Sequence, residues 1–199
     1  MRIIAGKYKS RKLIAPKGDT TRPTSDRARE SLFNVLQNMI DFEGMNILDL
    51  FAGSGAFAFE ALSRGAEHAT LIEQNRKVIE TIKENVRALE VDSQIEIIQK
   101  DVYSWIVRSP KSEVRSQLIP DVKLQTSDFG LVFADPPYDD PRTFELLPTL
   151  IFNSGLLTAD SLVIAEHRTG SSIGIPSGTE KIRELHTGEA VFSFLRAVS

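Results

Sequence analysis

The sequence holds 199 residues, 41% hydrophobic and 26% charged, which fits one globular domain with a substantial core. No apolar run approaches the roughly 20 residues needed to cross a bilayer, and the basic start MRIIAGKYKSRKL lacks the apolar stretch of a secretory signal; no membrane association and a cytoplasmic location are expected. With no cysteine, disulfides and thiolate metal sites are ruled out, and the net charge of -3 conceals segregation, since residues 1–30 carry nine Lys or Arg against three Asp or Glu and the remainder 15 against 24.

In chain order, two short apolar stretches at 2–5 and 12–15 flank Gly6-Lys7-Tyr8-Lys9 and predict a small basic β-hairpin. Residues 1–22 are read as a basic arm and 23–199 as the catalytic core of a single domain. A helix is expected after Pro23, capped by Thr24 or Ser25, with Leu32, Val35, Leu36, Met39 and Ile40 on its apolar face and Gly44 as its stop. Strand and helix then alternate. Strands are predicted at 45–50, 69–72, 95–98, 129–134 and 161–166. The helices between them fall at 56–64, 76–89 (burying Val78, Ile82, Val86 and Leu89), around Trp105 and Ile106, and at 143–153, where Pro148 shortens or bends the last one. Such alternation implies a parallel sheet covered on both faces. The end differs: 181–185 and 190–196, joined at Thr187-Gly188, read as an antiparallel hairpin at the sheet edge. The polar stretch 109–127 is expected to be a surface loop.

The turn Leu50-Phe51-Ala52-Gly53-Ser54-Gly55 places glycines where a strand becomes a helix, allowing positive φ and close approach of a ligand to the backbone. Glu73, 18 residues after Gly55 at the end of the second strand, is placed to accept ribose hydroxyls, so an adenosine-containing ligand is expected. Asp49 precedes the turn. Asp101 ends the third strand, either as an acceptor for an adenine amine or as a helix N-cap. Spacing alone does not separate a nicotinamide enzyme from a methyltransferase. Leu131-Val132-Phe133-Ala134-Asp135-Pro136-Pro137-Tyr138 does, because a carboxylate, two ring-locked residues and an aromatic stand at the carboxyl end of a buried strand. An exocyclic base amine is a weak nucleophile whose lone pair is delocalised, and it needs acceptors for its hydrogens as it pyramidalises. The Asp135 carboxylate and the Pro136 carbonyl are those acceptors, Pro136 and Pro137 stiffen the turn, and Tyr138 offers a stacking face for a flipped base.

These motifs resemble class I S-adenosylmethionine-dependent methyltransferases, and DPPY resembles the motif of exocyclic-amine methylators. Taken with MRIIAGKYKSRKL, RPTSDRARESLFNVL and LDLFAGSGAFAFEALSRGA, the sequence resembles the RsmD family of small-subunit ribosomal RNA guanine-N2 methyltransferases. The resemblance implies a Rossmann-like α/β fold, with a mostly parallel seven-stranded sheet and helices on both faces. It also implies S-adenosyl-L-methionine as cofactor, with Asp49, Phe51, Gly53, Gly55, Glu73, Gln74, Asp101 and Val102 in its site and Arg22 and Thr24 over its methionine end. Asp135, Pro136, Pro137 and Tyr138 carry the chemistry. Arg2, Lys7, Lys9, Arg11, Lys12 and Arg27 are expected to meet RNA, within a small-subunit assembly particle, and a metal-free monomer is expected. The 109–127 stretch and the C-terminal hairpin depart from the family pattern. Three rivals stay open: an adenine-N6 methyltransferase of DNA or RNA, a non-catalytic RNA-binding assembly factor, and a nicotinamide enzyme.

Overall fold

A computed structural model describes residues 1–16, 24–108, 129–137 and 143–198. Arg22, Tyr138 and the 109–127 stretch lie outside the described residues. The elements are α1 (Asp26–Leu36), β1 (Asn46–Leu50), α2 (Ala56–Ser63), β2 (His68–Glu73), α3 (Arg76–Leu89), a 3-10 turn (Asp92–Gln94), β3 (Ile95–Gln99), α4 (Val102–Val107), β4 (Phe129–Ala134), α5 (Leu146–Phe152), β5 (Leu157–Arg168), β6 (Thr179–Thr187) and β7 (Ala190–Ala197).

The seven strands form one sheet in the order β3-β2-β1-β4-β5-β7-β6. β1 to β5 pair in parallel, and β7 runs antiparallel between β5 and β6. The hairpin therefore does not simply cap an edge: its second strand is inserted beside β5. Parallel strands covered on both sides need apolar residues on both faces, and β1 and β4 comply by alternation. Ile47, Leu131 and Phe133 join the core shared with α1, α2 and α3, while Leu48, Leu50, Val132 and Ala134 join the core shared with α4 and α5. On the first side Phe57 stacks on Phe133 with ring centroids 5.0 Å apart, a contact worth about 0.5 to 1.5 kcal/mol beyond burial.

The first helix is shorter than its apolar pattern. Ser25 caps it through a bond from the Ala28 amide, and it ends at Leu36, so Met39 is largely exposed while Phe33 fills the core. Pro148 sits in the first turn of α5, where a missing N–H breaks no helical bond. The predicted arm is hairpin-like, with an antiparallel bridge between Arg2 and Lys12. It is fastened to the body rather than solvated. Ile3 and Leu13 enter the core, and the Ile4 and Ala5 amides donate to the Glu60 carboxylate at 2.8 and 3.1 Å. Gly6 has φ +79° and lies so close to α2 that a Cβ would fall 1.7 Å from the Ser63 carbonyl oxygen, to which the Lys7 amide donates at 2.7 Å. Among the described residues no helix is long and apolar enough to cross a membrane.

Candidate active site

Parallel α/β sheets bind ligands beyond the carboxyl ends of their strands, and here the turns after β1, β2, β3 and β4 converge around a cavity of about 430 Å³, within the usual range for a small-molecule site. Phe51, Gly53, Glu73, Gln74, Asp101 and Val102 line it, as do Thr24, Asp135, Pro136 and Pro137. A smaller surface depression between α3 and β3 contains none of the predicted site residues.

The glycine turn is built from strain and packing. Phe51 is a non-glycine residue at φ +61°, a conformation costing on the order of 1 to 3 kcal/mol that persists where its surroundings over-determine it. Its ring meets Tyr103 edge-on at 6.0 Å. Gly53 is required for its conformation, φ +55°, and not for space, since a Cβ there would meet only the Phe51 carbonyl oxygen at 3.8 Å. Gly55 is required for space too, since a Cβ there would lie 2.8 Å from the Phe59 ring and 3.1 Å from Leu71. Gly55 starts α2 beneath the cavity and does not line it.

Glu73 ties two turns together. One carboxylate oxygen accepts from the Gly53 amide at 3.2 Å and the other from the Asn75 amide at 2.8 Å. Each oxygen keeps further lone-pair capacity, so the geometry is compatible with holding ribose hydroxyls at the cavity wall. Asp101 does act as a helix cap, accepting from the Ser104 amide at 2.9 Å, and also borders the cavity. Asp49 is different. It is buried under the turn, accepts from the Ala58 amide at 3.3 Å, and does not line the cavity. Burial, then the nearby Glu73 charge, pushes its carboxyl well above the usual carboxylate range against the pull of that amide.

The Asp135-Pro136-Pro137 turn after β4 forms another part of the cavity wall. The Thr143 hydroxyl donates to the Pro137 carbonyl at 3.4 Å, bracing it from outside. Asp135 has its carboxyl pushed well up, first by desolvation and then by the Glu166 and Asp49 charges, with a Thr24 side-chain hydrogen bond acting in opposition. Sequence reasoning missed Arg29, Lys100 and Arg168 in the cavity wall and missed Glu166 behind it. Lys100 stood beside the predicted Asp101; Glu166 carried the signal of a carboxylate at the end of an apolar strand.

The predicted RNA-facing residues Arg2, Lys7, Lys9, Arg11, Lys12 and Arg27 are all exposed and lie outside the cavity wall. Arg11 donates to the Ala88 carbonyl at the end of α3, and the Lys7 ammonium lies 5.1 Å from the Tyr8 ring centroid. Met1 and Pro16 of the arm border the cavity, so the basic surface and the pocket adjoin.

The family described as conserved hypothetical protein 95, the RsmD family, matches residues 1–196. This chain belongs to the RsmD family. One relative, ribosomal RNA small subunit methyltransferase D of Escherichia coli (strain K12), is 31% identical over 96% of this chain and 87% of its own length. The solved structure of the hypothetical protein TTHA0928 of Thermus thermophilus is 26% identical, covers 99% of each chain and superposes with a TM-score of 0.77. SMU.776, solved in complex with SAH, is 14% identical, covers 89% of this chain and 50% of its own, and shares the fold with a TM-score of 0.64. The RsmD chain thus has the Rossmann-like class I methyltransferase fold, with the expected antiparallel C-terminal hairpin.

Proposed function

We propose that this RsmD-family chain uses S-adenosyl-L-methionine to methylate the exocyclic N2 of a guanine in small-subunit ribosomal RNA, within an assembly particle. The observation that carries the reading is the convergence of Glu73, Asp101 and the Asp135-Pro136-Pro137 turn on one cavity. The name of the Escherichia coli relative and the SAH in the SMU.776 complex support it. The cofactor's adenosine would lie against Glu73 and Asp101, with its methionine end toward Thr24 and Arg29. It supplies an activated methyl group on a sulfonium.

The chain's own residues do the rest. The Asp135 carboxylate and the Pro136 carbonyl accept hydrogen bonds from the amino group, turning its lone pair toward the methyl carbon. The N–C bond forms as the C–S bond breaks, and positive charge moves onto nitrogen beside Asp135, which favours it. Tyr138 serves as the stacking face for the flipped base. Single-turnover methyl transfer at saturating cofactor and RNA tests this. Asp135→Ala is expected to slow transfer on the order of 100- to 1000-fold with cofactor binding retained, and transfer at the wild-type rate would overturn the assignment. An adenine-N6 activity would use the same acceptors, and the nucleoside that receives the methyl group distinguishes the two.

A further inference from the structure

Three carboxylates stand on one face of the sheet at its carboxyl end. Asp49 on β1 is in register with Phe133 on β4, and Ala134 on β4 is in register with Ala165 on β5. Side chains alternate along a strand. Phe133 and Ile164 face the α1 and α2 side, so Asp135 just past β4 and Glu166 on the neighbouring β5, each two residues further on, return to that same face. Asp49 is one rung behind them. Glu166 is only 4% exposed, and across β7 it is opposite the apolar Phe192. The Thr24 hydroxyl donates to Glu166 Oε2 at 2.8 Å; Thr24 and Asp135 both line the cavity, and the Thr24 side chain draws the Asp135 carboxyl down against burial and the neighbouring charges.

A hydroxyl has one proton to give. Thr24 can donate to Glu166 or to Asp135, but not to both at once. With the proton directed to Glu166, Thr24 can only accept from Asp135, which requires Asp135 to carry a proton of its own. With it directed to Asp135, that carboxylate is ionised and ready to accept. The bridge therefore has two states, and they differ by one proton at Asp135.

We propose that Glu166 is a positioning residue for methyl transfer, acting through Thr24 to hold Asp135 as the group that receives the proton the exocyclic amine releases. This rests on the reading of the cavity given above. The proton balance is complete within the site. The amine nitrogen bonds the methyl carbon, the C–S electron pair stays on sulfur, and one N–H proton passes to an Asp135 carboxylate oxygen. Asp135 then donates to Thr24, and Thr24 turns its own proton toward Glu166. The like charge of Glu166 raises the proton affinity of Asp135, which makes it a better acceptor than an isolated carboxylate. The other charge acting on Asp135 is Asp49 on β1, and the cavity wall also carries Arg29, Glu73, Lys100, Asp101 and Arg168.

The test is the pH profile of single-turnover methyl transfer, at saturating cofactor and RNA, for wild type, Glu166→Gln, Thr24→Val and the two combined, with melting curves confirming the folded state. Glu166→Gln keeps the shape and an acceptor but removes the charge, and is expected to move the acid inflection down. Thr24→Val removes the bridge, so Glu166→Gln made in that background is expected to move the inflection by less than it does in wild type. A Glu166→Gln displacement that shrinks once Thr24 is gone is the signature of the bridge; an equal displacement in both backgrounds is a direct charge effect and overturns the bridge, and a packing defect would lower the rate without displacing the inflection. An unmoved inflection in Glu166→Gln overturns this inference while leaving the methyltransferase reading intact. Should Glu166→Gln fail to fold, an unmoved inflection in Thr24→Val overturns it equally. A wild-type protein that transfers no methyl group to RNA overturns both.

Discussion

Replacing Glu60 with alanine tests how the basic arm is joined to the methyltransferase fold. Glu60 is fully buried in α2. Its oxygens accept from the Ile4 and Ala5 amides at 2.8 and 3.1 Å and from Arg64 Nη2 at 2.9 Å, with Arg29 Nε 4.0 Å away. Arg29 is itself 1% exposed; its Nη2 pairs with the half-exposed Asp26 at 3.0 Å, its Nε and Nη1 have no hydrogen-bond partner among the described residues, and Glu60 is the buried carboxylate beside it. Removing one member of a buried pair typically costs about 3 to 5 kcal/mol. The two arm amides need not add to this, because the arm can lift off and bond to water. For a chain of this size that loss corresponds to a fall in melting temperature of roughly 6 to 20 °C. Glu60→Gln, which keeps an acceptor for one amide, should lose less. Urea titration followed by circular dichroism gives the free energy, and hydrogen exchange at the Ile4 and Ala5 amides reports the arm directly. A loss below about 1 kcal/mol in Glu60→Ala, or unchanged protection of those amides, would refute the idea that this carboxylate fastens the arm.

Other perturbations follow from the same geometry. S-adenosylmethionine should raise the melting temperature while NAD does not, since a ligand stabilises only the state it binds, and Glu73→Ala should shrink that rise; equal stabilisation by NAD would point to a nicotinamide site. Reversing the charge at Lys7, Lys9, Arg11 and Lys12 should weaken RNA binding and reduce its salt slope by roughly 0.7 to 0.9 for each phosphate no longer neutralised, with cofactor affinity unchanged. Asp49 is held protonated to higher pH in the folded chain than its ordinary value of 3.8, so the folded state binds more protons and stability falls as pH rises through that window. Asp49→Asn should therefore be the more stable protein at pH 7, and the advantage should shrink as pH falls toward 4; equal stability at both pH values would contradict it.

Much of the fold was legible because its signals are local. The spacing of residues 76–89 and the run at 129–134 gave α3 and β4 with their observed bounds. Local patterning failed where the chain left a helix without losing its apolar period. Residues 37–40 continue the spacing of α1, yet the helix ends at Leu36, and only the packing of Phe33 against Phe42, Phe57 and Phe133 shows which face is buried. The arm hairpin was readable, but its docking was not, because Ile4 and Glu60 are 56 positions apart. A lone carboxylate among the apolar residues of α2 was nonetheless a sign that a buried charge needs partners. At the site, the motifs placed Glu73 and Asp135 on the cavity but did not separate residues that line it from those that support it. Asp49 and Gly55 belong to the second group, and the difference is a matter of which side of the turn each faces.

The chemistry proposed for this cavity stands or falls on which atom receives the methyl group. Small-subunit particles from cells lacking this protein can be incubated with it and methyl-labelled S-adenosylmethionine, then digested to nucleosides. The label is predicted to elute as N2-methylguanosine, and to be lost with Asp135→Ala. Label in N6-methyladenosine, or none in RNA at all, would contradict it.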